Sequence, residues 1–203
     1  HRVSALIDGP WTAVKDTMED EAAELRRKNA YRAVDEPSEL WLYFSSIILG
    51  AYRALSPLVS DARELREAMS GAMSNRFRDG IEGYLVDRFG ITQDAPELAF
   101  RRISENFRRL GIEKFGKAYR YEQDRLDEDH CFVNVTRCFF NEFFRDNGAP
   151  ELTSHFCLLD YIWADELGKP KYGVMFERPT TLAKGDDVCR FQFFRQRRGE
   201  TSD

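Results

Sequence analysis

Apolar residues recur every three or four positions through the first half of the chain. From Pro10 to Ala33 the recurrent set is Trp11, Val14, Met18, Ala22 and Leu25, the spacing of one helix face. Pro10 suits a first helical turn, where its missing N–H costs nothing. Asp35-Glu36-Pro37 interrupts the pattern, and Ser38 is placed to cap a second helix that runs to about Leu55. In that helix Leu40, Tyr43, Phe44, Ile47, Ile48 and Ala51 form a broad stripe, predicted to be buried. Ser56-Pro57 ends it. A third helix starts at Asp61, repeats Leu65, Ala68, Met69, Ala72 and Met73, and extends toward Phe89 across Gly80 and Gly83. Gly90 supplies its C-terminal cap. Asp94-Ala95-Pro96-Glu97 then opens a helix with Phe100, Ile103, Phe107 and Leu110 on its face.

Near residue 120 the period changes. Asp124 to Asp129 reads as a solvated acidic loop. Phe132 to Thr136 reads as a strand, and Cys138 to Arg145 as a helix ended by Asn147-Gly148. Pro150 to Leu167 is a further helix, stopped by Gly168 and Pro170. Tyr172 to Glu177 is a strand, Thr180 to Asp187 a turn region with Gly185. From Val188 to Arg195, Cys189, Phe191 and Phe193 alternate with Arg190, Gln192 and Phe194, the mark of a strand with two unlike faces. The predicted class is α+β: a helical N-terminal half and a C-terminal antiparallel sheet packed with two helices. Residues 1–120 form the helical region and 121–197 the α+β region within one compact domain, followed by a polar tail at 198–203.

Composition narrows the function. The 203 residues are 42% hydrophobic and 32% charged, which excludes a disordered chain. The longest apolar run, Leu40 to Leu49, falls short of the roughly 20 residues of a membrane span. Asp8 breaks the apolar residues that follow His1-Arg2, against a secretory signal. A net charge of −5 and a pI near 5.4 argue against nucleic acid as a partner. All four cysteines, Cys131, Cys138, Cys157 and Cys189, lie after residue 130 with no CxxC pair, so reduced thiols in a cytoplasmic protein are expected. Aromatic residues make up 13%, with nine Phe between Phe139 and Phe194. They supply either a Phe-rich core or an aromatic wall for a small organic ligand.

The chemistry-bearing residues gather in the same third. Cys138 sits where a strand hands over to a helix, and a thiol at a helix N-terminus ionises more readily; a small buried residue is the bland alternative. Cys157 and Asp160 are three apart on one helix and share a face, with Phe156 and Trp163 flanking them. Asp160 is then either a general base or amidine anchor, or a buried partner of Arg178 or Arg190. His155 is about 200° round the helix from Cys157, so a local Cys–His pair is disfavoured and Glu151 is its expected partner. His130 is a weaker candidate base. Cys189 projects from its strand toward the helices. Convergence of Cys138, Cys157 and Cys189 would provide a soft metal site such as zinc, although their spacing matches no standard zinc module. The sequence itself requires no cofactor.

The runs from Val135 to Asp160 and from Phe176 to Phe193 resemble the L-2-amino-thiazoline-4-carboxylic acid hydrolase family. The matching pieces are Cys138, Gly148-Ala149-Pro150-Glu151-Leu152, Phe156-Cys157 with Asp160, Arg178 with Thr180, Gly185, and Cys189 before Phe191. A weaker similarity lies near residues 47–55. The resemblance implies hydrolysis of a C–N or C–S bond in a small heterocycle of the thiazoline or cyclic amidine type, within a biosynthetic pathway. Combined with the residues, it implies a thiolate, Cys157 or Cys138, attacking the amidine carbon while Asp160 holds the ring nitrogen. Arg178 would bind a substrate carboxylate, with Thr180, Phe156 and Trp163 completing the pocket. Water activated by Asp160 is the other route. A binding or sensor domain without turnover is the alternative in a different class. The partner is a small molecule, with neither nucleic acid nor membrane, and the oligomeric state stays open.

Overall fold

The computed structural model describes residues 11–196, so Pro10 and the polar tail lie outside the described residues. The chain order is α1 (Trp11–Lys28), α2 (Glu36–Leu55), α3 (Ala62–Asp79), α4 (Ile81–Phe89), α5 (Ala99–Phe115), β1 (Arg120–Leu126), β2 (His130–Arg137), α6 (Phe139–Asp146), α7 (Thr153–Leu167), β3 (Val174–Glu177) and β4 (Cys189–Arg195). Seven α-helices, mostly N-terminal, and a four-stranded antiparallel sheet among these residues make the fold α+β. The chain divides into two compact units, residues 1–76 with 139–158, and 77–138 with 159–203.

In the first unit α1 packs along α2, and Gly50 permits it. A Cβ at Gly50 would lie 2.9 Å from the Ala22 nitrogen and the Met18 oxygen, a distance real side chains do not tolerate. Asp35, not Ser38, caps α2. Its carboxylate accepts the Ser38 N–H at 3.0 Å, and the Ser38 hydroxyl accepts the Asp35 N–H at 2.9 Å, a reciprocal box that accommodates Pro37 in the first turn. The expected buried stripe of α2 holds at Ala51, with Ile48 packed beside it, and is corrected at its other positions. Leu40, Tyr43, Phe44 and Ile47 are 36–47% exposed, while Leu42, Ser45, Ser46, Leu49 and Gly50 are buried. Small residues let α1 approach closely, so packing selects the face with the least bulk. Asn29 and Asn147 exchange amide hydrogen bonds at 3.1 and 3.2 Å inside this unit and tie α1 to the end of α6.

In the second unit the sheet order is β1-β2-β4-β3. Cys189, Phe191 and Phe193 line the buried face of β4, as their alternation predicts. They pack with Phe107 of α5 and Trp163 of α7 around a core that includes Phe89, Ile103 and Val133. The acidic segment departs from expectation: Asp124, Arg125 and Leu126 belong to β1, and the turn shrinks to residues 127–129. Only Tyr121 of β1 is buried, so this edge strand has no apolar alternation to read. Backbone pairing with β2, bulged between Gln123 and Arg125, creates it. The long third helix is in fact α3 and α4, broken at Gly80. Gly90 ends α4 in the left-handed region, φ 72°, as expected.

Candidate active site

Helix α7 contributes to both units. Thr153 to Leu158 belongs to the first, Leu159 to Leu167 to the second. In the second-unit half, Asp160 accepts two hydrogen bonds, from Arg178 Nη1 at 2.6 Å and from Trp163 Nε1 at 3.1 Å. Trp163 is three residues along α7, one turn, which sets the second bond. Arg178 leaves the end of β3 with its side chain 1% exposed, its guanidinium 4.4 Å from the Tyr161 ring centre and 5.4 Å from that of Phe191. Of the two readings open for Asp160, the ion pair with Arg178 is formed. Arg178 is thereby committed to Asp160.

Burial raises the Asp160 pKa above the ordinary carboxylate value, outweighing Arg178, the Trp163 bond and Arg88. Its side chain nevertheless keeps 29% of its surface accessible. The group is therefore recessed within protein rather than sealed from water, and it takes up a proton more readily than a surface aspartate.

A second arginine was not anticipated. Arg88 on α4 is 4% exposed and donates from Nη1 to the Phe107 carbonyl at 2.9 Å. Its guanidinium lies 4.7 Å from the Phe107 ring centre, 5.4 Å from Phe89 and 5.6 Å from Phe115. The Tyr84 phenol lies within electrostatic reach of Arg88. Burial raises the pKa of the Tyr84, Tyr119 and Tyr121 phenols, so all three are neutral, and each feels the Asp160 charge. A lone Arg in an amphipathic helix reads as solvent-facing. The available signal was Gly111, mid-helix in α5, where a Cβ would lie 2.9 Å from the Tyr121 ring and 3.1 Å from Arg88 Nη2.

The cysteines differ in setting. Cys138 is half-buried, between β2 and α6, and lies close enough to the Tyr119 phenol to help raise its pKa. Cys189 is buried, its sulfur accepts the Leu182 N–H at 3.2 Å, and burial raises its pKa, so it stays a thiol. Cys131 is raised by burial too. Cys157 is half-buried in the first-unit part of α7. Beside it Phe156 stacks on Phe140 with ring centres 3.8 Å apart. Among the described residues no three His, Cys, Asp or Glu side chains are grouped to hold a metal, so Cys138, Cys157 and Cys189 do not make the ligand set that convergence would have given.

Four smaller placements complete the picture. The Thr180 Oγ1 is buried without a hydrogen-bond partner. Glu151 accepts the Tyr52 hydroxyl at 3.2 Å instead of pairing with His155, which is 2% exposed. His130 is held in the β1–β2 turn, its Nδ1 2.8 Å from Asp127 Oδ1. Gly185 turns the chain with φ 91°, and Asp186 accepts the Thr181 N–H at 2.7 Å.

Fold and site together define an α+β protein with a recessed carboxylate set among arginines, neutral phenols and a half-buried thiol. Residues 46–193 match the family model of L-2-amino-thiazoline-4-carboxylic acid hydrolase, and the chain belongs to that hydrolase family. The matched span includes Arg88, Asp160, Arg178, Thr180 and all four cysteines. No curated protein and no solved structure matches the chain. No helix among the described residues is long and apolar enough to cross a membrane.

Proposed function

We propose that the protein hydrolyses a C–N or C–S bond of a small heterocycle of the thiazoline or cyclic amidine type, within a biosynthetic pathway. The observation that carries this reading is Asp160: a recessed carboxylate of raised pKa, fixed at both oxygens and still accessible. Such a group both holds a cationic amidine and returns a proton to it. Arg178 and Trp163 orient the carboxylate, and the unpartnered Thr180 Oγ1 is a hydrogen-bonding group left for the ligand.

Cys138 is the favoured nucleophile. It directly precedes α6, where the positive end of the helix dipole favours an anionic sulfur, and it belongs to the same unit as Asp160. Cys157 is the second candidate, three residues before Asp160 on α7. The thiolate adds to the amidine carbon while Asp160 protonates the ring nitrogen. The ring C–S or C–N bond then breaks, and the leaving atom takes a proton. Water adds to the same carbon and expels the thiolate, so one water is consumed and the cysteine is regenerated. In the other route, water adds directly with Asp160 as its base.

The test is turnover of L-2-amino-thiazoline-4-carboxylate followed by product mass. Asp160→Asn should abolish it, and Cys138→Ser should lower kcat by orders of magnitude. Near-full activity of Cys138→Ser, with Cys157→Ser dead, transfers the role to Cys157; activity in both assigns the reaction to water. The full commitment of Asp160 to Arg178 and Trp163 favours one other reading, a binding or sensor domain. Tight binding of the heterocycle with no product would establish that reading instead.

A further inference from the structure

We infer that Arg88 is a specificity-determining residue, the group that binds the carboxylate which the substrate named for the family carries. The inference rests on the hydrolase reading and deepens it. Arg88 is 4% exposed yet makes no ion pair with any carboxylate among the described residues. Its side-chain hydrogen bond goes to a neutral group, the Phe107 carbonyl. A buried cation without a counter-ion is costly, and proteins retain one where a ligand supplies the charge.

The charge inventory of the centre points the same way. Arg88 and Arg178 face one carboxylate, Asp160, and that carboxylate is bonded to Arg178. Tyr84, Tyr119 and Tyr121 are neutral. The surplus is therefore one positive charge, matched by a monoanion better than by a phosphate dianion. Rings cover the guanidinium from Phe89, Phe107 and Phe115. Such cover leaves the N–H edges as the polar route to a ligand, and that planar edge suits the two oxygens of a carboxylate. Gly111 keeps the Nη2 side free of a side chain. With Arg88 taking the acid and the ring left to Asp160, the preferred ligand is a heterocycle with a single carboxylate.

Calorimetric binding at constant ionic strength tests this with two probes, L-2-amino-thiazoline-4-carboxylate and 2-amino-2-thiazoline, the same ring without the acid. The native protein should prefer the carboxylate by at least about tenfold, the scale of one charge-assisted pair. Arg88→Gln should erase the preference while leaving affinity for the neutral-tailed ring within a few-fold. Should Arg88→Gln fail to fold, Arg88→Lys decides: it keeps the charge, lacks the fork, and should lose most of the preference. Equal binding of both rings by the native protein, or a preference that survives these substitutions, overturns the inference and leaves the hydrolase reading standing. If neither ring binds, the heterocycle reading fails, and sodium acetate against sodium chloride becomes the measurement. A rise in the unfolding midpoint with acetate that Arg88→Lys removes upholds Arg88 as an anion site; no rise overturns it.

Discussion

The two halves of α7 show two ways of making a stable interior from one continuous helix. Its first-unit half carries Phe156, stacked on Phe140 and close to Phe144, in an aromatic cluster without a charged member. Its second-unit half carries Asp160, held by Arg178 and Trp163 in a core that also contains Arg88. The first is an interior of packing, whose strength is area and fit. The second accepts desolvated charge, which packing alone would not select. Packing accounts for the aromatic half, whereas the charged half adds an ion pair between Asp160 and Arg178 that packing does not require.

The comparison can be broken by substitution. The largest effect is expected from Phe143→Ala in the first unit, where the ring is fully buried: about 4 kcal/mol lost in denaturant unfolding, with turnover per folded molecule unchanged. Asp160→Asn should cost about 3 kcal/mol, because Arg178 is left buried without its counter-ion, and should also abolish turnover. An Asp160→Asn protein of native stability would show the pair to be idle in folding. Gly111→Ala should cost about 2 kcal/mol, since its Cβ meets the Tyr121 ring at 2.9 Å.

Acidity separates the units further. Burial first, and then Arg66, lowers the His155 pKa below 6.5. The unfolded chain thus binds its proton more readily than the folded one, and the first unit should lose stability as pH falls below about 6.5. Asp160 has the opposite sign. Its raised pKa makes the folded state hold a proton that the unfolded state releases, so its contribution weakens as pH rises above 3.8. Hydrogen exchange read unit by unit between pH 4 and pH 8 checks both signs, and His155→Gln should flatten only the first. The smallest effect is expected on the exposed face of α2, where Phe44→Ser should change stability by no more than about 0.5 kcal/mol.

The surroundings of Asp160 and the face of β4 were partly legible, and the reasons are local. Asp160 stands out because a carboxylate beside Leu159 and Trp163 on an apolar helix must find a partner, and Arg178 was one of two cations named for it. Cys189 was correctly placed on the inward face of β4 by period alone. Arg88, Tyr84, Tyr119 and Tyr121 escaped notice, since nothing in their own segments marks them as inward-facing. The α2 stripe misled for a related reason. Apolarity predicts what would gain from burial, but Gly50, Ser45 and Ser46 decide which face a neighbouring helix can reach.

The α+β class, the cap at Gly90, the turn at Gly185 and the alternation of β4 follow from the sequence, because each depends on a few adjacent residues and on the period of their side chains. The family too is read from short runs whose spacing is preserved along the chain. Tertiary structure alone decided the division of α7 between two units, the edge strand β1 and the meeting of Arg88 with the phenols of Tyr84 and Tyr121. Such placements depend on contacts between segments far apart in the chain. No local period encodes them, and the desolvation that sets the chemistry of Asp160 exists only once those segments have closed around it.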